Sequence, residues 1–383
     1  MANVELEVID LSTEQSIGKF PLDICQVQTY EFDVGHYYLK ATYLLTGEVQ
    51  ESDITIVEGA NPPLDFTFST PIQPIPYWAY YYAWWNSSGW AVNDAMPEKD
   101  TPEIGRYDSA IDVESIRQHI RWAKEGGITG FITTFADYWL DELDVLVQVA
   151  EEENFKLGII TEFAGVSLVE RDRQLTLFFD RYGNRTPFKS WNGKTLIVLW
   201  ASWELTGSEW DSILGKYRDK AILLCCENSV DAGTGYIAKM AYFDGNAPYS
   251  PTMVQVHPNR FLKMSQECDK QGKIFLCPIG PGANRVGSGT GTDVGRENGE
   301  FYKRSNAITR GFNPPSTAIA IVSWNEFYEI THIEPSVNYG HQYLDLTRQF
   351  TTPVVKPVQV GFPIWIIPVV LFGIGITYII TKK

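Results

Sequence analysis

The sequence predicts an α/β protein: a (β/α)8 barrel with a small N-terminal β-sandwich and a C-terminal transmembrane helix. Three features carry this. Strand-type alternation of apolar and polar residues fills roughly the first 68 positions. Strands then alternate with helices over about 270 residues, the rhythm of βα units around a parallel sheet. Near the end stands a run of 20 residues without a charge.

Residues 1–70 form the first expected domain. Val4, Leu6 and Val8 alternate with polar neighbours, and Tyr37, Leu39, Ala41 and Tyr43 alternate with Tyr38, Lys40, Thr42 and Leu44. Ile54–Val57 and Phe66–Phe68 are further short runs. Turn signals at Gly35-His36, Gly47-Glu48 and Gly59–Pro63 separate them, at the spacing of a β-sandwich. The stretch GHYYLKATYLLTG followed by ITIVEG resembles transthyretin-like and carboxypeptidase-regulatory-like modules, which implies an accessory or spacer role.

The barrel is expected over residues 75–350. Trp78–Ala83, Ile128–Phe135, Leu157–Phe163, Thr195–Trp200, Ala221–Cys225, Ile274–Pro278 and Thr317–Ser323 read as buried strands. Between the first of them, Val113–Glu125 and Leu140–Glu153 have helical spacing, and Gly126-Gly127 ends the former. About eight strands at this length suit a barrel of ~250 residues. A doubly wound open sheet is the alternative, but its phosphate fingerprint is missing. Gly287, Gly289 and Gly291 open no helix and lack the downstream acid, so they read as a surface loop.

Residues 351–360, with Pro353 and Pro357, read as a stalk, and 361–380 as a membrane helix. Twenty residues at 1.5 Å each span about 30 Å, the thickness of a bilayer core. Trp365 and Tyr378 stand near the two ends, and Lys382 and Lys383 follow. The expected location is therefore the cell membrane, single-pass, with the large N-terminal part outside and the C-terminus cytoplasmic. The first eleven residues hold Glu5, Glu7 and Asp10 and no signal-peptide core.

Net charge is −16, which argues against nucleic acid as a partner. The five cysteines show no CxxC or Cys/His metal spacing, and the five histidines form no HExxH. No metal or cofactor is expected. Cys225 and Cys226 read as small buried hydrophobes on opposite strand faces, and a Cys268–Cys277 pairing is the less favoured reading.

In a barrel the chemistry sits where the strands end. There the sequence places Trp84, Trp85, Asn86, Asp137, Tyr138, Trp139 and Glu162, and then the dense segment SWNEFYEITHIEPS at 323–336. Glu326 and Glu329 are three apart, which on a helical turn means about 5–6 Å. Retaining glycosidases hold two carboxyls at ~5–5.5 Å. Spacing alone fits a solvated pair equally well. The preceding apolar run and the interleaved Trp324, Phe327 and Tyr328 favour a catalytic pair whose aromatic walls raise one carboxyl's pKa.

That segment resembles the strand-end signature of glycoside hydrolase family 99, the endo-α-mannosidases and endo-α-mannanases. YYAWW (81–85), GRYDS (105–109), HIRWAKEGGITGFITTF (119–135), LGIITEF (157–163), IGPGANR (279–285) and RENGEFY (296–302) agree in order. The resemblance implies a retaining hydrolase acting on α-mannosides or related surface glycans, which the C-terminal helix read above would anchor in the membrane. Glu326 would take the proton of the sugar 2-hydroxyl, which attacks the anomeric carbon, and Glu329 would be the acid/base. Glu162, Tyr81, Tyr82, Trp84 and Asn325 would bind the sugar, with Arg296 and Tyr302 nearby. Two departures stand out. Ile330 replaces the usual glycine after the second Glu, and a branched residue there is expected to refuse a glycine-only backbone angle. Ala91 follows Trp90 where a histidine is common. The rival reading is an inactive glycan-binding or structural surface protein on the same fold.

Overall fold

The computed structural model describes residues 4–10, 12–13, 15–22, 35–43, 49–56, 60–68, 75–96, 98–230, 235–284, 293–352 and 358–365. The chain divides into two compact units, Pro74–Thr352 and Met1–Gln73 with Pro353–Lys383.

In the first of these units, eight parallel strands close a barrel: β6 (Tyr77–Tyr81), β7 (Gly130–Phe135), β8 (Lys156–Thr161), β9 (Thr195–Leu199), β10 (Ala221–Cys225), β11 (Gly245–Asn246), β12 (Ile274–Ile279) and β15 (Ala318–Ile321). Helices α1 (Ser87–Asp94), α2 (Val113–Glu125), α3 (Leu140–Glu152), α4 (Leu168–Tyr182), α5 (Gly207–Leu214), α6 (Tyr236–Lys239), α7 (Met253–Val256), α8 (Pro258–Lys270), α9 (Glu300–Arg310) and α10 (Gln342–Thr351) connect or follow them. A short antiparallel pair, β13 (Ala283–Asn284) and β14 (Asp293–Val294), lies between β12 and α9.

The expected elements form for identifiable reasons. In α2 the buried residues Ile116, His119, Ile120, Trp122 and Ala123 make one stripe at helical spacing. Gly127, at φ +70°, turns the chain out of the helix. In α5 Thr206 and Glu209 form a reciprocal capping box. The strand that sequence reading misses is β11. It has two residues, too few for a period, and a Cβ on Gly245 would lie 1.9 Å from the Ile274 carbonyl oxygen. The lumen is filled by alternate residues, including Trp78, Tyr80, Tyr82, Ile132, Ile160, Leu196, Val198, Leu224 and Leu276. Cys225 packs outward and Cys226 into the lumen, both buried. Cys268 and Cys277 are free thiols, so the pairing does not occur.

The other unit holds β1 (Val4–Asp10), β2 (Gln15–Leu22), β3 (Gly35–Tyr43) and β4 (Val49–Ile56) as one antiparallel sheet in the order β2-β1-β3-β4. Leu6, Val8, Tyr37 and Leu39 are its buried residues on β1 and β3. β5 (Ala60–Phe68) instead pairs antiparallel with β16 (Val358–Trp365).

This pairing corrects the reading of the tail. Of the expected stalk, Thr351 closes α10 and Val358–Val360 open a strand, while residues 353–357 lie outside the described residues. Gly361–Trp365 are strand, not the start of a helix. The apolar positions that remain, 366–380, also lie outside the described residues. Among the described residues no helix is long and apolar enough to cross a membrane.

Candidate active site

The strand ends gather the site. On β6 and its extension, Tyr80 and Tyr82 face the lumen, while Tyr81 faces outward. Its ring stacks on Phe131 at 4.7 Å and its hydroxyl lies 3.1 Å from His119 Nδ1. Period-2 alternation forces this split, so Tyr81 is a packing residue and not a sugar ligand.

After β15 the chain makes a tight turn over Glu326–Thr331. The Thr331 amide donates to the Glu326 carbonyl at 3.2 Å, and the Ile330 amide donates to the Phe327 carbonyl at 3.3 Å. These are the 6→1 and 5→2 bonds of a Schellman motif, which needs a left-handed residue at its penultimate position. Ile330 supplies it at φ +50°. The expectation that a branched residue would refuse this angle is corrected: the backbone keeps it and an isoleucine bears the strain, about 1–2 kcal/mol. The Ile330 side chain is buried, and its carbonyl accepts from the Arg296 guanidinium at 2.9 Å.

The turn fixes both carboxylates. Glu326 is buried, its amide donates to Ser323 Oγ at 2.9 Å, and its Oε1 accepts from the Tyr328 amide at 2.8 Å. Glu329 is half-buried, and its carbonyl accepts from the Asn284 amide at 2.8 Å. Both carboxylates act on Tyr82 through their charge. Burial first, then Tyr249 and the charges of Glu326 and Glu329, hold its phenol well above the usual range. Burial and Glu326 push Tyr328 up to about 12.

Asn325 belongs to the frame, not to the sugar-facing wall. Its side chain is fully buried and bonds the Tyr82 amide, the Tyr82 carbonyl and the Tyr107 hydroxyl. Tyr107 in turn donates to Glu334 at 3.0 Å, and His119 Nε2 lies 3.1 Å from the same carboxylate. Glu334 is thus a buried strut.

Arg296 is likewise structural. It donates to the Ile330 and His332 carbonyls and lies over the rings of Tyr339 (4.1 Å) and Tyr343 (4.5 Å). Arg296 can only donate, so its 3.4 Å contact with His332 Nδ1 makes that nitrogen the acceptor. His332 Nε2 then donates to Asp100 at 2.9 Å. Burial, then Arg296, lowers the His332 pKa to about 4. Tyr302, on α9, bonds Thr347 and packs against Tyr343 and Phe350 of α10. It is a core residue, fully buried.

Glu162, just past β8, is half-buried, and burial raises its pKa to about 7. Trp84 stacks on Tyr82 at 4.2 Å and touches Trp139 at 5.4 Å, with exposed Tyr138 beyond. On the other side the Tyr82 and Tyr249 hydroxyls meet in a short hydrogen bond. Tyr249 reaches Trp200 at 5.4 Å.

Of the residues singled out from sequence, the structure brings together Glu326, Glu329, Tyr82 and Trp84, with Glu162 at a strand end of the same barrel face. It assigns Tyr81, Asn325, Arg296 and Tyr302 to support. Tyr249 was missed because it follows a strand with no readable pattern, although its setting after Ala247-Pro248 is a loop signal. The loop read at Gly287, Gly289 and Gly291 lies outside the described residues. Among the described residues no three His, Cys, Asp or Glu side chains could hold a metal ion.

Solved structures share this fold. One is the GH99 endo-alpha-mannosidase from Bacteroides thetaiotaomicron in complex with bis-tris-propane, at 23% identity and TM-score 0.63 over 72% of this chain and 95% of that one. A second structure of that endo-alpha-mannosidase gives 21%, 0.62, 72% and 96%. A glycoside hydrolase-like protein gives 15% and 0.56, over 74% and 96%. No curated protein matches. The family model for Glycosyl hydrolase family 99 matches residues 60–350, well over half the sequence and all of the barrel. The chain therefore belongs to glycosyl hydrolase family 99.

Proposed function

We propose that this chain is a retaining glycoside hydrolase of the endo-α-mannosidase type, acting on α-mannosides or related surface glycans. The observation that carries the reading is the turn past the end of β15 that carries Glu326 and Glu329 three residues apart, with the charges of both felt at Tyr82. Glu326 accepts the proton of the sugar 2-hydroxyl as that oxygen attacks the anomeric carbon. The glycosidic bond breaks and the leaving oxygen takes its proton from Glu329. Glu329, now a carboxylate, accepts a proton from water, which opens the 1,2-anhydro sugar while Glu326 returns its proton to O2. Glu162 would hold a sugar hydroxyl. Trp84, backed by the buried Tyr82, would offer its ring to a sugar, and Arg296 supports the turn through the Ile330 carbonyl.

The test is α-mannan hydrolysis by the full chain, with the anomer first released followed by NMR. Retained configuration is expected, and inverted configuration would remove the mechanism. One observation favours the alternative of an inactive glycan-binding or structural surface protein: Ile330 strains the very turn that sets Glu329. Binding of α-mannan oligosaccharides without hydrolysis would decide for it.

The N-terminal sheets would act as an accessory module of the transthyretin-like or carboxypeptidase-regulatory-like kind. Attachment to the cell membrane, with the barrel outside, rests on residues 366–380 and on Lys382 and Lys383. Carbonate washing of membranes tests it: a chain released by the wash is not anchored.

A further inference from the structure

Beyond the carboxylates, the loop after β9 presents Trp203 to solvent at 47% exposure. An exposed indole costs burial free energy, yet this loop is built to hold it in place. Ala201 takes a left-handed φ of +58° to start the turn. Ser202 Oγ donates to the buried Glu227 at 2.8 Å, and Trp210 Nε1 donates to the Ser202 carbonyl at 3.0 Å. The Glu204 carboxylate accepts from the Gly165 amide at 3.0 and 3.1 Å and pairs with the buried Arg171. Every neighbour of Trp203 is thus tied down, while the ring is left out.

The ring is continuous with the proposed site. Trp203 meets Trp200 edge to face at 4.9 Å, Trp200 meets Tyr249 at 5.4 Å, and the Tyr249 hydroxyl bonds that of Tyr82. On its far side Trp203 walls an open cavity of about 370 Å³ shared with Thr206, Ser208 and Tyr242. That volume is at the lower end of small-molecule clefts, about 300–1,000 Å³. Tyr242 also lines the cavity, its ring packed on bare backbone: a Cβ on Gly207 would lie 2.0 Å from it. Two aromatic rings, the Ser208 hydroxyl and the carboxylates of Glu204 and Glu209 in one lining suit a pyranose, which has apolar C–H faces and a polar rim.

We propose that Trp203 and this cavity form an outer subsite for one hexopyranose unit of the glycan chain, beyond the units held at Glu326 and Glu329. The inference rests on the glycosidase reading above. A chain threaded from Tyr82 past Tyr249 and Trp200 to Trp203 places several sugar units on one side of the cleavage point, so the preferred substrate is a long chain.

The test uses the full chain carrying Glu326→Gln, titrated calorimetrically with α-mannan oligosaccharides from mannobiose to mannohexaose. Affinity should rise with length, and adding Trp203→Ala should weaken the hexaose about tenfold while leaving the biose unchanged. Trp203→Phe should recover most of the loss. Circular dichroism melts of each variant establish that the fold is kept, as expected for a half-exposed side chain. Equal hexaose affinity with and without Trp203, or an equal loss for biose and hexaose, would overturn the subsite alone. No binding of any oligosaccharide by the Glu326→Gln chain would overturn the glycosidase reading and the subsite with it.

Discussion

Asn325 closes both hydrogen bonds of the Tyr82 main chain, its Oδ1 accepting from the amide at 2.7 Å and its Nδ2 donating to the carbonyl at 2.8 Å. The amide side chain therefore does for Tyr82 what a neighbouring strand would do, at the point where β6 has run out of ladder. Asn325→Asp places a carboxylate oxygen against the Tyr82 carbonyl, and Asn325→Ala leaves both groups buried without a partner. Each unpaired buried group costs about 1–3 kcal/mol. Urea unfolding should show both variants less stable, with Asn325→Asp the worse.

Glu326→Gln and Glu329→Gln keep size and polarity but remove proton transfer, so each should lower mannan hydrolysis by roughly 10²–10⁴ with little change in melting temperature. Glu334→Gln is the opposite case. Its carboxylate is fully buried beside His119 and Tyr107, so it should lower stability by ~1–3 kcal/mol. Equal melting curves for all three variants would contradict the division between site and strut.

Two groups shape the pH profile in opposite directions. Glu162, raised to about 7 by burial, binds its proton more tightly folded than unfolded. Its contribution is complete below the unfolded carboxyl range, near 4.3, and fades as pH climbs to 7. Glu162→Gln should flatten that decline. His332, lowered to about 4, binds its proton less tightly folded, so stability is lost as pH falls from about 6.5 to 4. Melting curves taken every half unit between pH 4 and 8 separate the two.

At Ile330 the usual ranking of small residues should invert. In right-handed backbone alanine outperforms glycine, but at φ +50° a Cβ costs about 1–2 kcal/mol. Both variants lose the buried side chain, yet Ile330→Gly should be the more stable of the two by about 1 kcal/mol. An alanine variant as stable as glycine would mean that the turn has rearranged.

Ending the chain after residue 365 keeps β16 and should leave the exchange protection of the Ala60–Phe68 amides unchanged. Ending it after residue 357 removes the strand that pairs with β5, and those amides should exchange faster by orders of magnitude. A cut before Gly361, where the sequence places the start of the membrane helix, falls inside the strand.

The barrel was legible because its strands and helices repeat with the right periods, and α2 begins and ends where its stripe and glycine pair place it. The carboxylate pair was legible from its aromatic setting. What could not be read depends on contacts distant in sequence. Tyr81 and Tyr82 look alike in a string, and only closure of the sheet sends one outward. Arg296 and Asn325 resemble ligands by type, but each is consumed by backbone groups of a neighbouring loop. β16 carries a membrane-like composition because its residues, Gln359 apart, are apolar, and only the presence of β5 reveals its partner.

The β5–β16 ribbon also sets an order of events. Phe68 pairs with Val358, and the whole barrel lies between them in the chain. At about 5–20 residues per second, a ribosome needs roughly 15–60 s to travel from one to the other. Throughout that interval β5 has an open edge while the intervening sequence is free to fold. The unit begun first at the N-terminus is thus completed last, and its final strand is added to a molecule whose catalytic half can already be in place.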